Sequence, residues 1–529
     1  MNETSQKSSW ADRSTTVKFM RWLCSWRTLR RILAGLAMAI TLIALLYAEE
    51  NWRGKRAWEN FKREWEAKGE RFDLAAFIPK PVPDEQNFAM TPLLAPLLDY
   101  RYDQQMKEAK WKDSNAVQRA QQISVSEQKN PPPFGRQKNP PPFGRSDKSD
   151  FTDLRLWQQY YRSNTNFPSR PQPGEAAQDV LFALAKYDSV VQELREANRR
   201  PYAIFPVHFD ENYQALLPYL AVLKKLSLVL RLRATALLET GQLDEAVQDI
   251  TLSFRLAEVL KPEPLLISQL VRISITQIAI EPVWEGLAKH RWKEPQLVEL
   301  QRALTMLQIL EDYGNTLRGE RAFSNDLIDR LRRGQFHGWG GLADDSGLLA
   351  FSRLTRLAPA GWLYQNQLYI NRLHQEKTLR LIDAAQHRVF PDRCRGLDDL
   401  PELKRTTPYN IFASLLFPAV SKTAQKTAFG QTVIDLATVA CALERYRIAN
   451  GEYPENLAVL APRFLAKVPN DVINGEPLKY RRATSGQFVL YSVGWNEKDD
   501  GGVTATRKKG STPGQDLDRG DWIWQYPAQ

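Results

Sequence analysis

The run Ile32 to Ala48, ILAGLAMAITLIALLYA, carries no charge over 17 residues. At about 1.5 Å of rise per residue, a helix of that length spans roughly 25 Å, enough to cross a thin bilayer core. The flanks decide between a buried core helix and a span. Arg27, Arg30 and Arg31 precede the run, Glu49 and Glu50 follow it, and Trp22, Trp26, Tyr47 and Trp52 stand near its two ends. Cations on one side with aromatic residues at both interfaces are the pattern of a single membrane-spanning helix. Under the same charge rule the basic tail, residues 1–31, stays in the cytoplasm. The expectation is therefore an inner (cytoplasmic) membrane protein, single-pass, with its N-terminus cytoplasmic and its bulk extracytoplasmic. Leu46-Tyr47-Ala48 sets a large residue where a cleavage site needs a small one, so an uncleaved signal anchor is expected rather than a secretory peptide.

The net charge of +11 first suggests an acidic partner. Residues 1–31 hold Lys7, Arg13, Lys18, Arg21, Arg27, Arg30 and Arg31 against Glu3 and Asp12, a surplus of +5 that leaves +6 for the rest of the chain. So balanced a body lacks the basic footprint of nucleic-acid binding, and no nucleic-acid partner is expected. Three cysteines are too few for a disulfide scaffold. Cys24 falls on the cytoplasmic side, and Cys394 and Cys441 are expected as two buried thiols, with pairing outside the membrane as the alternative.

After the span (32–48), Trp58, Phe61 and Trp65 recur at helical spacing and predict a stalk helix over 49–70 that stops near Gly69. Residues 71–111 form a Pro-rich strap with extended backbone, laid over a domain because Phe88, Leu93, Leu94, Leu97 and Leu98 need burial. Residues 112–150 are polar and include QKNPPPFGR twice in tandem, which predicts a loop of low order. From 151 to 420 the period is helical. Leu232 to Leu260 reads as one tetratricopeptide-type helical hairpin turning at Gly241; with no second copy at that period, an irregular helical domain is expected instead of an array. Gln269, Arg272 and Gln277 interrupt the apolar stretch Leu265 to Ile280, marking it as a buried helix and keeping the count at one span.

The end region, 421–529, opens with an expected amphipathic helix from Ser421 through Arg447, with Phe429, Val433, Leu436, Val439, Ala440, Leu443 and Tyr446 on its apolar face. Asn450-Gly451 caps it, and Tyr453-Pro454 opens a second short helix carrying Leu457 and Leu460. Gly475 to Gly494 alternates as two strands about a Thr-Ser-Gly turn. This order, with Ala442-Leu443-Glu444-Arg445-Tyr446, Gly451-x-Tyr453-Pro454, Pro477-Leu478-x-Tyr480, Ser492-x-Gly494 and Asp499-Asp500-Gly501-Gly502 ahead of Gly520-Asp521-Trp522, resembles the globular domain of the major pseudopilin of type II secretion systems over residues 424–524. Pseudopilins join a prepilin-peptidase site directly to their apolar helix. Nothing like that site precedes Ile32, so entry into a pseudopilus by the usual route is not expected. The whole chain, with AFIPKPVPDEQNF at 76–88 and GWLYQNQLYINRLHQE at 361–376, resembles a family of single-span bacterial envelope proteins, a likeness that brings no activity with it. The fold expected is mainly α: one transmembrane helix, a helical extracytoplasmic domain and a small α+β pseudopilin-like end domain.

Five histidines, His208, His290, His337, His374 and His387, are scattered without a metal signature. His337 to Gly347 is Gly-rich but follows no strand pattern, which predicts a loop rather than a phosphate cradle. Glu320-Arg321 is expected as a structural ion pair on a helix. The pattern points to a non-enzymatic, membrane-anchored scaffold or docking protein with a protein partner; the alternative is an extracytoplasmic hydrolase or carbohydrate-active enzyme. One site carries chemistry. Asp499, Asp500, Asp518 and Asp521 lie in Gly-rich loops able to fold around a hard cation, and the pseudopilin resemblance implies Ca²⁺ at these positions.

Overall fold

The computed structural model describes Trp22 and residues 26–103, 108–126, 151–209, 215–335, 358–397, 400, 404–416, 420–483, 486–506 and 515–526. The tandem repeat, the Gly-rich stretch 337–347 and the basic residues through Arg21 lie outside them. The described chain is mainly helical.

The first helix, α1, runs unbroken for 41 residues from Trp26 to Glu66, so the expected span and stalk are one rod. Among the described residues, this is the one helix long and apolar enough to cross a membrane. Its apolar half is exposed all round. Beyond it, Glu50, Gly54, Trp58 and Phe61 are buried, a stripe at intervals of about one turn. That stripe meets α11 (Ala360–Glu376) at glycine on both sides. A Cβ on Gly361 would lie 2.0 Å from the carbonyl oxygen of Glu50, and one on Gly54 would lie 2.3 Å from that of Gly361. The two backbones touch. Asn51 Oδ1 accepts the Gly361 N–H at 2.8 Å, satisfying one of the amides a helix start leaves open. Farther along, Trp58, Phe61, Phe72 and Leu368 close a small core, with the Trp58 and Phe72 rings edge to face at 5.8 Å. Glu70 then receives Arg318 at 3.0 Å and the buried Arg321 at 2.9 Å. The expected Glu320–Arg321 pair is thus replaced: Arg321 pairs with Glu70, and Glu320 accepts the N–H of Leu266 at 3.3 Å. Neighbours in sequence point to different sides of a helix, which is why the pair does not form.

The Pro-rich strap is a string of 3₁₀ turns whose Phe88, Leu94 and Leu97 are fully buried. The Asn87 side chain fixes it by accepting the N–H of Ile204 at 2.8 Å and donating to its carbonyl at 2.7 Å. A hairpin follows, β1 (Tyr100–Asp103) with β2 (Glu108–Trp111). The low order expected from Lys112 onward is not found over 114–121. Helix α2 (Ser114–Gln121) forms there, capped by Asp113 at 2.9 Å from the Ala116 N–H, and it buries Val117 and Ala120. Two apolar residues three apart were too few to reveal it among so many polar neighbours.

The helical body comprises α3 (Leu154–Arg162), α4 (Ala176–Leu184), α5 (Asp188–Ala197), α6 (Pro218–Glu239), α7 (Leu243–Glu258), α8 (Leu266–Ala288), α9 (Glu294–Thr305) and α10 (Ile309–Arg332). Helices α6 and α7 form the expected hairpin, turning at Gly241 with φ of 77°. Helix α8 packs across both, and its polar residues act as joints. The fully buried Arg272 reaches Asp312 at 2.7 Å and Glu258, while Arg231 of α6 pairs with Glu281. Two short strands, β3 (Ile382–Asp383) and β4 (Arg388–Val389), and the short helices α12 (Pro391–Arg395) and α13 (Ile411–Leu416) lead to the end region.

Helix α14 (Val420–Asn450) is where the expectation of amphipathicity fails. Every residue from Thr427 to Glu444 is buried. Helices α8, α9 and α10 cover one side, and the antiparallel sheet β5 (Lys479–Arg482), β6 (Phe488–Ser492), β9 (Trp522–Trp524) covers the other. One hydrophobic core runs from Ala234 through Val433 to Trp524, so no break in packing falls at 420/421. The short helix expected after Pro454 is only a 3₁₀ turn, Leu457–Leu460, hemmed between Pro454 and Pro462. The tail supplies β7 (Thr504–Thr506), β8 (Gln515–Gly520) and the third sheet strand, whose Trp522, Ile523 and Trp524 are all buried.

Gly361→Ala forces α1 and α11 apart, since a methyl group has no flexible neighbour to displace. The expected cost is about 1–3 kcal/mol, read as a lowered thermal midpoint, whereas Gly69→Ala, with open space around it, costs only its left-handed backbone.

Candidate functional site

Two histidines adopt the left-handed backbone that favours glycine, His290 with φ of 51° and His387 with φ of 53°. Both hand their side chains to acids of α14. His387, in the turn between β3 and β4, sets Nε2 at 2.9 Å from Asp435 Oδ2. Asp435 Oδ1 accepts from Gln431 at 3.0 Å, and Gln431 Oε1 accepts the N–H groups of Ile309 and Leu310 at 3.1 and 3.3 Å. Gln431 therefore caps α10 from another helix, a task its own N-cap residue Gln308 does not perform. The hydrogen bond to Asp435 raises the pKa of His387 above its ordinary value, and partial burial opposes this. The dyad lines a cavity of about 330 Å³ with Thr305, Gln308, Lys467 and Asn470 around it. That volume suits a small polar molecule. An imidazole held by a carboxylate at its wall can carry a positive charge or exchange a proton there.

The second dyad is a joint. Glu444 is buried, and its oxygens receive His290 Nδ1 at 2.9 Å, Arg447 at 2.7 and 2.9 Å, and the Tyr453 hydroxyl at 2.7 Å. Burial works against its charge, but these donors outweigh it and hold its pKa down to about 2. His290 Nε2 lies 3.3 Å from Gln487 at the entry to β6. The most recognisable passage of the end region, ALERYRIANGEYP, is thus a corner where α8, α14 and the sheet are tied. Arg445 adds a second tie, to Glu294 and Gln301 of α9 and to the carbonyl of Phe464.

The four carboxylates expected to ligate Ca²⁺ have separate partners. Asp521 is fully buried and accepts the N–H groups of Asp500 at 3.2 Å and Gly502 at 2.7 Å. Asp499 accepts from the Tyr491 hydroxyl and the Gly501 N–H, both at 3.0 Å, and Asp500 accepts from Asn496 at 2.8 Å. Asp518 is bound instead by Gln425 of α14 at 2.7 Å. Asp521 therefore pins the loop through backbone N–H groups, the Asp499 and Asp500 carboxylates are bonded elsewhere in it, and Asp518 faces the helix. Among the described residues no group of three or more His, Cys, Asp or Glu side chains is arranged to hold a metal ion.

Cys394 and Cys441 are both buried thiols with no disulfide between them, and burial pushes Cys441 up to about 12. His374 is buried on Thr378 at 2.9 Å, and burial pushes it down to about 3. His208 lies against the Tyr100 ring at 4.8 Å. The two left-handed histidines escaped sequence reasoning because no spacing links them to Asp435 or Glu444. The one available signal was Lys289-His290 standing just past a helix end where glycine is usual.

Comparison of the chain with protein-family models, curated proteins and solved structures returns no match.

His387→Asn retains a residue that tolerates the left-handed backbone but removes the imidazole. Because the folded pKa of His387 is raised, its pair with Asp435 contributes fully below the ordinary value of 6.5 and is lost as pH rises through the folded value. The variant is expected to lose about 1–2 kcal/mol at pH 6 and much less at pH 9, measured by denaturant titration at both. Asp521→Asn sets an amide against backbone N–H donors and is expected to cost about 1–3 kcal/mol. Melting the wild type with calcium and with chelator separates the two readings of the loop. Equal midpoints leave Asp521 as a pin that needs no ion, and a rise with calcium assigns the ion to the exposed Asp499 and Asp500.

Proposed function

We propose that the chain is a membrane-anchored docking protein of the cell envelope that acts without catalysis. One observation carries this: the rod that contains the apolar run is built into the body through the Gly54–Gly361 crossing and the Glu70–Arg321 pair. A tether would leave the body free to swing, whereas this arrangement holds one surface at a set orientation to the anchor. The internal use of polar groups supports the same reading, since Glu444, Asp435, Arg272 and Arg231 bind other parts of the chain and hold helices together. In this reading the N-terminus is cytoplasmic, the bulk is extracytoplasmic, and the end region presents a pseudopilin-like surface to a protein partner. A helix backed by an antiparallel sheet in that region supports this last element.

A hydrolase or carbohydrate-active enzyme is the second reading, and the His387–Asp435 cavity is the observation that favours it. Three results decide. A reporter fused after Gln529 is expected to be active only outside the cytoplasm. Photocrosslinkers at the exposed Met306 and Val459 are expected to capture a discrete protein in intact membranes. Turnover of a cell-wall polymer that His387→Asn abolishes would overturn the docking reading in favour of the enzyme.

A further inference from the structure

We infer that the face of the body surrounding the exit of α1 from its apolar run is a lipid-contact surface, on which the body sits directly on the headgroup layer. This rests on the reading of α1 as a membrane anchor. The argument is one of height. Glu50 lies two residues past Ala48, about 3 Å along the helix axis. The Tyr409 hydroxyl is bonded to its carboxylate at 3.3 Å, and the backbone of Gly361 presses on its carbonyl oxygen. Tyr409 and the first turn of α11 therefore stand where the apolar run ends, not a stalk's length beyond it.

The last turn of α10 comes down to the same level. Asn371 bonds Asn325 at 2.7 Å, Gln367 bonds Asp329 at 3.0 Å, and the Arg332 guanidinium lies 4.8 Å over the Tyr364 ring. As residue numbers rise along α10 they fall along α11, so the two helices are antiparallel and Arg333 ends beside the start of α11. At this level stand the exposed Trp52 of α1 itself, the exposed Tyr409, the ring of Trp362 at 6.2 Å from that of Tyr409, Arg53 of α1 paired with Glu50, and the exposed cation Arg333 at the end of α10. Aromatic residues and cations are what the headgroup region attracts. The surface is continuous with the anchor, which commits it to lipid in preference to a protein partner. Under this inference the end of the apolar run cannot be at the bilayer boundary without the collar touching it.

The test uses the full chain with Cys24→Ser, reconstituted into vesicles of phosphatidylethanolamine and phosphatidylglycerol. A polarity-sensitive fluorophore is placed singly at Ile40→Cys, Arg333→Cys or Met306→Cys, the buried Cys394 and Cys441 being left in place. Met306 lies beyond the other end of α10, about 35 Å from Arg332 along the helix, and is 70% exposed. The label at 40 is expected to be quenched by acyl-chain spin labels. The label at 333 is expected to be quenched several-fold more by headgroup spin labels than the label at 306, with a blue-shifted emission that the label at 306 lacks. Iodide reaching 333 as readily as 306, with 40 still in lipid, would overturn the seating and leave the anchor standing. A label at 333 shielded from both quenchers would overturn it in favour of a protein contact. Iodide reaching 40 would remove the anchor and the seating together.

Discussion

A helix with no solvent face needs a partner on every side, and α14 imposes that need on the rest of the molecule. Its residues Thr427 to Glu444 are buried throughout, so three helices and a sheet must converge on it. Small residues make this possible. Ala428, Gly430, Ala437, Ala440 and Ala442 allow close approach on several faces, and Gly430 meets Ile273 of α8 so closely that an added Cβ would sit 3.0 Å from it. Filling those positions with leucine would suit an amphipathic surface helix but not this one, because the surrounding elements would be pushed outward together.

A centre so apolar gives no direction to its neighbours, and polar joints at the edges supply it. Gln431 caps α10, Asp435 fixes the turn of His387, and Glu444 gathers His290, Arg447 and Tyr453. These three residues lie on one helix and act on three different parts of the chain. Glu444 is buried, so a lost partner there leaves a polar group without water to replace it, and the arrangement is specified more sharply than packing alone would achieve. Left-handed histidines fit this scheme: the backbone strain is tolerated because the side chain is held at its far end.

The long elements were legible. An uncharged run with basic and aromatic flanks marked α1, the Gly241 turn marked the α6–α7 hairpin, and alternation marked β5 and β6. What stayed hidden depended on distance along the chain. Nothing near Glu70 signals Arg321, and nothing near Asp521 signals that its oxygens serve the amides of Asp500 and Gly502. The apparent amphipathicity of α14 misled for a related reason: its threonines and small residues read as a polar side, yet Thr427, Thr432 and Thr438 lie in the interior. The WIW strand was missed because three residues are too few for a period to show.

The close approach of Gly54 and Gly361 also sets an order of events during synthesis. The apolar run and the residues just after it leave the ribosome early, but their partner helix follows about 300 residues later, which at about 5–20 residues per second is roughly 15 to 60 s. Through that interval Trp58 and Phe61 have no Leu368 to pack against. The nascent chain therefore carries an unburied aromatic stripe next to its exposed apolar run. That is a stage at which a holding chaperone would bind, and at which two copies emerging side by side could pair with each other's unfinished halves.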